Sequence, residues 1–524
     1  MVKKIAGLFL VLSCRMVFTS GAFAISIPKW QPHDFEFKSK TIPDNPFTVN
    51  FSAEFAGPNG TKLVLPGFYD GNGIWKIRFS PTVEGNWQLT TVADIAGINN
   101  QKLRFTCIAN PDKKVHGNLM VDPQNPHHFI YQDGTHWFPD GYECDWLWAL
   151  DEHDNKLPVI NSFLDKLSYY GFNFILINCY GYDTTWRPGK SSDDDYGPSA
   201  LYPWNGSNDQ PDFSHFNLTY WQHFDRMIDA MNKRGIIAHL YLKVYNKKVN
   251  WPKNGSPEDD RYYNWIIAHY AAYPNITWDL AKEANNEKSV DYKTGRLKFI
   301  RLTDPYHRLV TIHTDVQTYN SGAYTSLAEF RSHQEQSNHL HASTLKQLAQ
   351  NNWPVMNVES GYEHGPKGLL DKTYNNAESA EEDARRIWEI QMAGGYNAYY
   401  YTYTAWDVIR PNETPPGYAY LKNFKDFFTQ TEYWLLKPAD SLASTGYCLA
   451  HTGKEYVVFQ NKSVPFTLNL TDLDKPLKAR WYQPYTGNYM DAGTLQKGMV
   501  SLTPPEILGT GPVVLYIGGN TSLK

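Results

Sequence analysis

Between residues 113 and 436 the chain alternates short apolar runs with amphipathic stretches about eight times, and this alternation constrains the fold more than any other feature. INSFLDKLSYYG sets Ile160, Phe163, Leu164 and Leu167 at helical spacing before the apolar run Phe174 to Cys179. LTYWQHFDRMIDAMNKRG puts Trp221, Phe224, Ile228 and Met231 on one face, and GIIAHLYL follows. The pattern repeats through YYNWIIAHYAAYPN and ITWDLA, Leu309 to His313, Leu327 to Arg331, STLKQLAQN with PVMNVE, and AESAEEDARRIWEIQMAGG with YNAYYYTY. With a first strand near Phe138 to Gly141, this is an α/β chain whose units suit a (β/α)8, or TIM, barrel over residues 113–436. A doubly wound sheet alternates similarly, but the Gly-rich phosphate turn expected after its first strand is absent.

The flanks have a different period. Residues 25–112 alternate apolar and polar positions in short runs such as FTVNFSAEF and EGNWQLTTVAD, with a tight hairpin at Asp70-Gly71-Asn72-Gly73, and predict an immunoglobulin-like antiparallel β-sandwich. Residues 437–524 return to strands and turns, as in YCLAHTGKEYVVFQN and GPVVLYIGG, and predict a second, smaller β-sandwich. Residues 1–24 read as a secretory signal: Lys3 and Lys4, an apolar run from Ile5 to Leu12, then Ala22-Phe23-Ala24 as a cleavage site. A secreted or periplasmic location follows, with lipid attachment at Cys14 as the lesser alternative.

Composition narrows the partners. A formal net charge of −5 with no basic stripe argues against nucleic acid, and no later run is apolar enough to span a membrane. Aromatic residues make up 15% of the chain, with 17 Trp and 36 Tyr, and such flat amphipathic rings suit stacking on sugars. Cys107, Cys144, Cys179 and Cys448 lie far apart in apolar contexts, the pattern of buried thiols and not of a disulfide framework. Neither G-x-S-x-G nor HExxH nor paired Cys spacing occurs, so the chemistry is expected to need no metal and no cofactor.

Two apolar runs end abruptly in acids: Glu283 follows the fourth strand in NITWDLAKEANNE, and Glu359 ends the seventh in PVMNVESGYEHG. In a parallel barrel the strand C-termini converge on one rim, so both carboxyls are delivered to the same mouth. Two carboxyls flanking a glycosidic bond can divide the work, one protonating the leaving oxygen and the other attacking the anomeric carbon or activating water.

These two segments resemble the acid/base and nucleophile segments of clan A (β/α)8 glycoside hydrolases. DDRYYNWIIAHYAAYPN and DPYHRLVTIH resemble the apiosidase-like barrel group, in which an immunoglobulin-like domain commonly precedes the barrel and a small β-domain labelled collagen-binding-like ends the chain, as ARWYQPYTGNY suggests here. The resemblance implies a retaining hydrolase with Glu283 as general acid/base and Glu359 as nucleophile, their carboxyls about 5 to 5.5 Å apart. It also implies a plant or algal polysaccharide, or an oligosaccharide cut from one, as substrate. Two positions depart from the pattern. Lys282 stands where the clan usually has the Asn that binds the sugar hydroxyl next to the anomeric carbon, so either the substrate carries an anion that Lys282 meets or Lys282 turns away. Apiosidase-type enzymes are expected to carry Asp at the fourth-strand position, so Glu283 argues against transferring their substrate.

Further rim positions are candidates for holding sugar. Trp406 follows the eighth strand, His313 ends the fifth, His333 and Gln334 follow the sixth, Tyr180, Tyr182 and Trp186 follow the second, Trp146 follows the first, and Tyr362 lies in the nucleophile loop. Glu363 in that loop is a weaker second acid than Glu359. Two other functions fit parts of the pattern. A non-catalytic glycan-binding barrel would account for Lys282, and a lyase acting on a uronate would use His313, His333 and Lys282.

Overall fold

The computed structural model describes residues 25–182, 201–247, 249–320, 322–324, 326–365, 377–404 and 409–519. At its centre a parallel sheet closes on itself. In order around the ring its strands are Gly141–Glu143, Phe174–Asn178, Ile237–Tyr241, Ile276–Asp279, a fifth strand in two pieces, Arg331–Gln334, Val355–Glu359 and Tyr396–Tyr399, which pairs with the first. The two pieces of the fifth strand close the ring: Val310–Thr311 pairs with the fourth strand and His313–Asp315 with the sixth. Helices Pro158–Tyr169, Leu218–Asn232, Pro257–Tyr270, Val290–Thr303, Leu340–Leu348, Ala380–Met392 and Pro416–Phe428 cover the outside, and the fifth connection holds only the short helix Val316–Asn320. This is a (β/α)8 barrel.

The helices form where apolar residues fall on one face. Ile160, Phe163, Leu164 and Leu167 are the buried residues of Pro158–Tyr169, and Trp221, Phe224, Ile228 and Met231 face inward from Leu218–Asn232. Helix Pro257–Tyr270 starts at Ser256, whose side chain accepts the Asp259 N–H, with Pro257 in the first turn and three acids beside the positive end of the helix dipole.

Two strands lie elsewhere than the sequence suggests. The first begins at Gly141, not near Phe138, because a Cβ at Gly141 would sit 2.7 Å from that of Ala398 and only glycine allows the first and eighth strands this close. The sixth is Arg331–Gln334, not Leu327 to Arg331. The hydrogen bonds of the preceding residues go elsewhere: Glu329 exchanges bonds with Val310 through both backbone and carboxylate, and the Phe330 carbonyl accepts from the Thr311 hydroxyl. His333 and Gln334 are therefore within the sixth strand, not after it, and His313 opens the second half of the fifth.

Antiparallel β-structure flanks the barrel at both ends. Before it, a five-stranded sheet faces a three-stranded one across Phe35, Phe55, Phe79, Trp87 and Phe105, with Phe55 and Phe79 stacked at 3.8 Å. The hairpin joining Phe68–Gly71 to Ile74–Phe79 turns through Asn72 and Gly73, both at positive φ, as the right-handed strand twist requires. After the barrel, a six-stranded sheet and a two-stranded sheet enclose a second core around Val458, Leu468, Trp481 and Leu515. Cys107, Cys144, Cys179 and Cys448 are buried free thiols. No helix among the described residues is long and apolar enough to cross a membrane.

Candidate active site

The site is built on the C-terminal ends of the barrel strands. Beyond the fourth strand the chain stays extended alongside the third: Lys282 N–H bonds the Lys243 carbonyl, and Tyr245 N–H bonds the Lys282 carbonyl. Glu283 then turns sharply, at φ 50° and ψ 49°, a left-handed conformation that a side chain of this size rarely adopts. Such strain is held only where the surroundings over-determine it, and it collects at functional positions. Glu359 ends the seventh strand at a bulge against His333 and Gln334, and its N–H bonds the Asn357 side chain.

Lys282 organises the centre. Its ammonium is buried and meets three carboxylates: Glu143, Asp145 at 3.2 Å and Glu359 at 2.8 Å. Glu143 and Asp145 accept its hydrogen bonds, and Glu359 lies against it as an ion pair. The rings of Tyr241 and Tyr400 lie 5.4 and 5.7 Å from the same nitrogen. Lys282 therefore turns inward, towards the proposed nucleophile.

Glu359 is almost fully buried, and its second oxygen accepts the Tyr362 hydroxyl at 2.8 Å. The Gln336 amide donates in turn to that hydroxyl. Glu283 is half-buried, and its oxygens accept amide N–H groups from Asn246 at 2.8 Å and Asn286 at 3.1 Å. Burial raises the Glu283 pKa above its ordinary value and the negative charge of Glu359 adds to the rise, while Lys282 and the two amides oppose it.

His313 lies between the two glutamates. Its Nδ1 accepts the Glu283 backbone N–H at 3.4 Å, and its Nε2 stands 4.0 Å from Glu359. Burial, then Lys282, holds the imidazole neutral, its pKa well below the usual value. With Nδ1 accepting, the proton is assigned to Nε2, so the ring presents a donor towards Glu359. His333 is also neutral and fully buried one strand further round.

The other candidates divide. Tyr362 touches Glu359, and Gln334 is half-buried next to it in register. Tyr180 is buried against Trp148, Tyr202 and Tyr220, and Trp146 is buried so close to Gly181 that a Cβ there would meet its Nε1 at 2.2 Å. Tyr182 is half-buried. Trp406 and Trp186 lie outside the described residues. Glu363 turns away from Lys282 and bonds Tyr399 and the Gly417 N–H.

Seven residues of the candidate site escape the sequence reading: Glu143, Asp145, Tyr241, Asn246, Asn286, Gln336 and Tyr400. Glu143 and Asp145 are two residues apart, the spacing that puts extended neighbours on one side, but the tryptophans of GYECDWLW dominate that stretch.

A model of an apiosidase-like catalytic domain matches residues 123–437, with a domain of unknown function (DUF5060) matching 26–94 and a collagenase-type collagen-binding domain matching 439–514. A protein from Bacteroides vulgatus ATCC 8482, provisionally assigned as a glycoside hydrolase, is 22% identical and superposes with a TM-score of 0.79 over 94% of this chain and 99% of its own. Another structure named a glycoside hydrolase is 16% identical, with a TM-score of 0.59 over 78% of this chain and 98% of its own. A family 5 glycoside hydrolase from the same Bacteroides strain is 15% identical, with a TM-score of 0.59 over 78% and 94%. At these identities the likeness shows a shared fold, that of glycoside hydrolases. No curated protein matches the chain. The apiosidase-like model spans more than half of the 524 residues and includes every strand of the barrel, and the chain belongs to the apiosidase-like family.

Proposed function

We propose that this protein hydrolyses glycosidic bonds with retention of configuration, using Glu359 as nucleophile and Glu283 as general acid and then base. One observation carries the reading: Glu359, at the seventh strand end, rests on Lys282, the neighbour of Glu283, and His313 bridges from the Glu283 backbone towards Glu359. Glu359 rests on the Lys282 ammonium, and Tyr362 fixes its other oxygen. Glu283 has a raised pKa, which favours the protonated form a leaving-group oxygen needs. In the first step the Glu359 carboxylate attacks the anomeric carbon while Glu283 gives its proton to the departing oxygen. In the second, Glu283 takes a proton from water, which displaces Glu359 and regenerates both groups.

The proposed substrate is a plant or algal polysaccharide or an oligosaccharide derived from one. The pattern of residues 1–24 supports export, so that the protein meets such glycans outside the cytoplasm. The lyase reading needs a free cation for the uronate carboxylate, and Lys282 instead meets three carboxylates of the protein.

A glycan panel read by reducing ends, followed by proton NMR of the first product, tests the proposal. Wild type should release reducing ends of retained configuration. Glu359→Ala and Glu283→Gln should each lose at least about a thousandfold in kcat/KM, and azide should restore turnover of an activated glycoside by Glu359→Ala. Inverted product, or an unsaturated product absorbing in the ultraviolet, would refute it.

A further inference from the structure

We propose that the cleft between the N-terminal sandwich and helix Pro257–Tyr270 is a second glycan-binding site, which holds a stretch of polysaccharide on the flank of the barrel. The class of ligand rests on the hydrolase reading, and the site itself on a cavity that the two domains enclose together.

The sandwich and the barrel pack closely at one end of this helix and part at the other. Near its C-terminal end Phe68 lies on His269, ring centroids 3.7 Å apart, and Arg78 reaches the His269 carbonyl. Towards its N-terminal end the two surfaces leave a cavity of about 490 Å³, inside the range of about 300–1,000 Å³ that small-molecule sites occupy. Helices return antiparallel to the barrel strands, so this is the end nearer the catalytic mouth. The loop that enters the helix carries Asn246, which bonds Glu283.

One wall is the helix face formed by Pro257, Asp260, Arg261 and Asn264, whose spacing of three and four puts them in one row. A helix face that serves only to seat another domain is apolar, whereas this one is polar, and Asp260 and Asn264 are exposed. Arg261 gives one N–H to the Phe213 carbonyl at 3.3 Å, and a guanidinium has five. The other wall is the sandwich segment from Phe47 to Ser52. Asn45 fastens that segment to the barrel domain: its side chain accepts the Phe47 N–H and donates to the Ser214 carbonyl, each at 3.0 Å. The half-buried Phe47 ring is held edge-to-face against Phe216 and Trp265. Trp265 also lines the cavity; it is 5% exposed, and its indole N–H has no hydrogen-bond partner among the described residues. A buried donor without an acceptor is costly to keep unless a ligand or water completes it. An aromatic ring, a guanidinium, an amide and a hydroxyl around an unused indole N–H suit a sugar, whose C–H face packs on a ring while its hydroxyls both accept and donate.

Affinity electrophoresis of the full chain tests this in gels containing soluble arabinoxylan, glucomannan, pectic galactan or laminarin, with Glu359→Ala as the parent so that turnover does not erode the matrix. At least one polysaccharide should retard the parent, and adding Asn264→Ala or Arg261→Ala should weaken that binding about fivefold. Asn264 is exposed, so Asn264→Ala should keep the parent Tm, and its loss of binding then has no origin in misfolding. Retardation by none of the polysaccharides, retardation unchanged in either variant, or a loss that accompanies a lowered Tm in both would overturn the inference. The hydrolase reading fails separately: if binding depends on Asn264 but the wild-type chain releases no reducing ends from the polysaccharide it binds, the cleft stands and the hydrolase does not.

Discussion

Lys282 shows how one side chain sets the chemistry of its neighbours. Buried pairs are weak evidence of stability, but removing one partner leaves the others charged and uncompensated. Lys282→Met would strand Glu143, Asp145 and Glu359 together. The variant should lose about 3–5 kcal/mol of stability in denaturant unfolding, and Lys282→Arg should recover part of it. Stability within about 1 kcal/mol of wild type would mean that the three carboxyls do not depend on the ammonium. At this scale the sequence was only partly legible. Glu283 and Glu359 stand out because apolar strand runs lead straight into them. Glu143, Asp145 and Tyr241 do not, because which alternate residue of a short barrel strand faces the mouth depends on strand tilt and register, and no local pattern encodes these. The direction of Lys282 was undecidable, since it depends on acids 137 and 139 residues away in the chain.

Between elements, the loop after Glu359 is fastened to the end of the barrel. Glu363 N–H bonds the Tyr400 carbonyl, and its buried carboxyl accepts the Tyr399 hydroxyl at 2.6 Å and the Gly417 N–H at 3.0 Å, at the start of helix Pro416–Phe428. Burial pushes the Glu363 pKa up from 4.5 to about 7, against those two bonds. A carboxyl whose folded pKa is raised contributes fully below its unfolded pKa, and that contribution is lost as pH rises towards the folded value. Between pH 4.5 and about 7 this amounts to about 3 kcal/mol. Glu363→Gln should flatten the stability profile across that window, and its advantage over wild type should grow as pH approaches 7. An unchanged pH slope in urea unfolding would contradict this. Helices were the most legible elements, because apolar residues recur on one face in Pro158–Tyr169 and Leu218–Asn232. The two-piece fifth strand and the late start of the sixth were not, because Glu329 and Thr311 side chains take backbone bonds that a ladder would otherwise use.

Across the molecule, the flanking β-structure is joined to the barrel by buried contacts. Arg78 of the N-terminal sandwich reaches Asp34 in its own domain, and Asp225 at 3.0 Å and the His269 carbonyl at 2.8 Å in the barrel helices. His269 is near the C-terminal end of its helix, the end of the barrel remote from the catalytic mouth. Arg78→Met should lower stability by about 3–5 kcal/mol through the stranded Asp34 and Asp225, with catalytic constants of the folded enzyme unchanged. At the other end, Trp388 of helix Ala380–Met392 stacks on Phe459 of the C-terminal domain at 5.3 Å. The three-part architecture was legible because hydrophobic period changes at each junction, whereas the joining contacts pair residues more than seventy positions apart. The retaining mechanism proposed for this site turns on which carboxylate becomes covalently bonded to sugar. Treating the protein with the activated 2-deoxy-2-fluoro glycoside of whichever sugar it releases, then sequencing the labelled peptide by mass spectrometry, tests it most directly. A fluoroglycosyl adduct on Glu359 is the result expected; an adduct on Glu283 or Asp145, or none despite turnover of the parent glycoside, would contradict it.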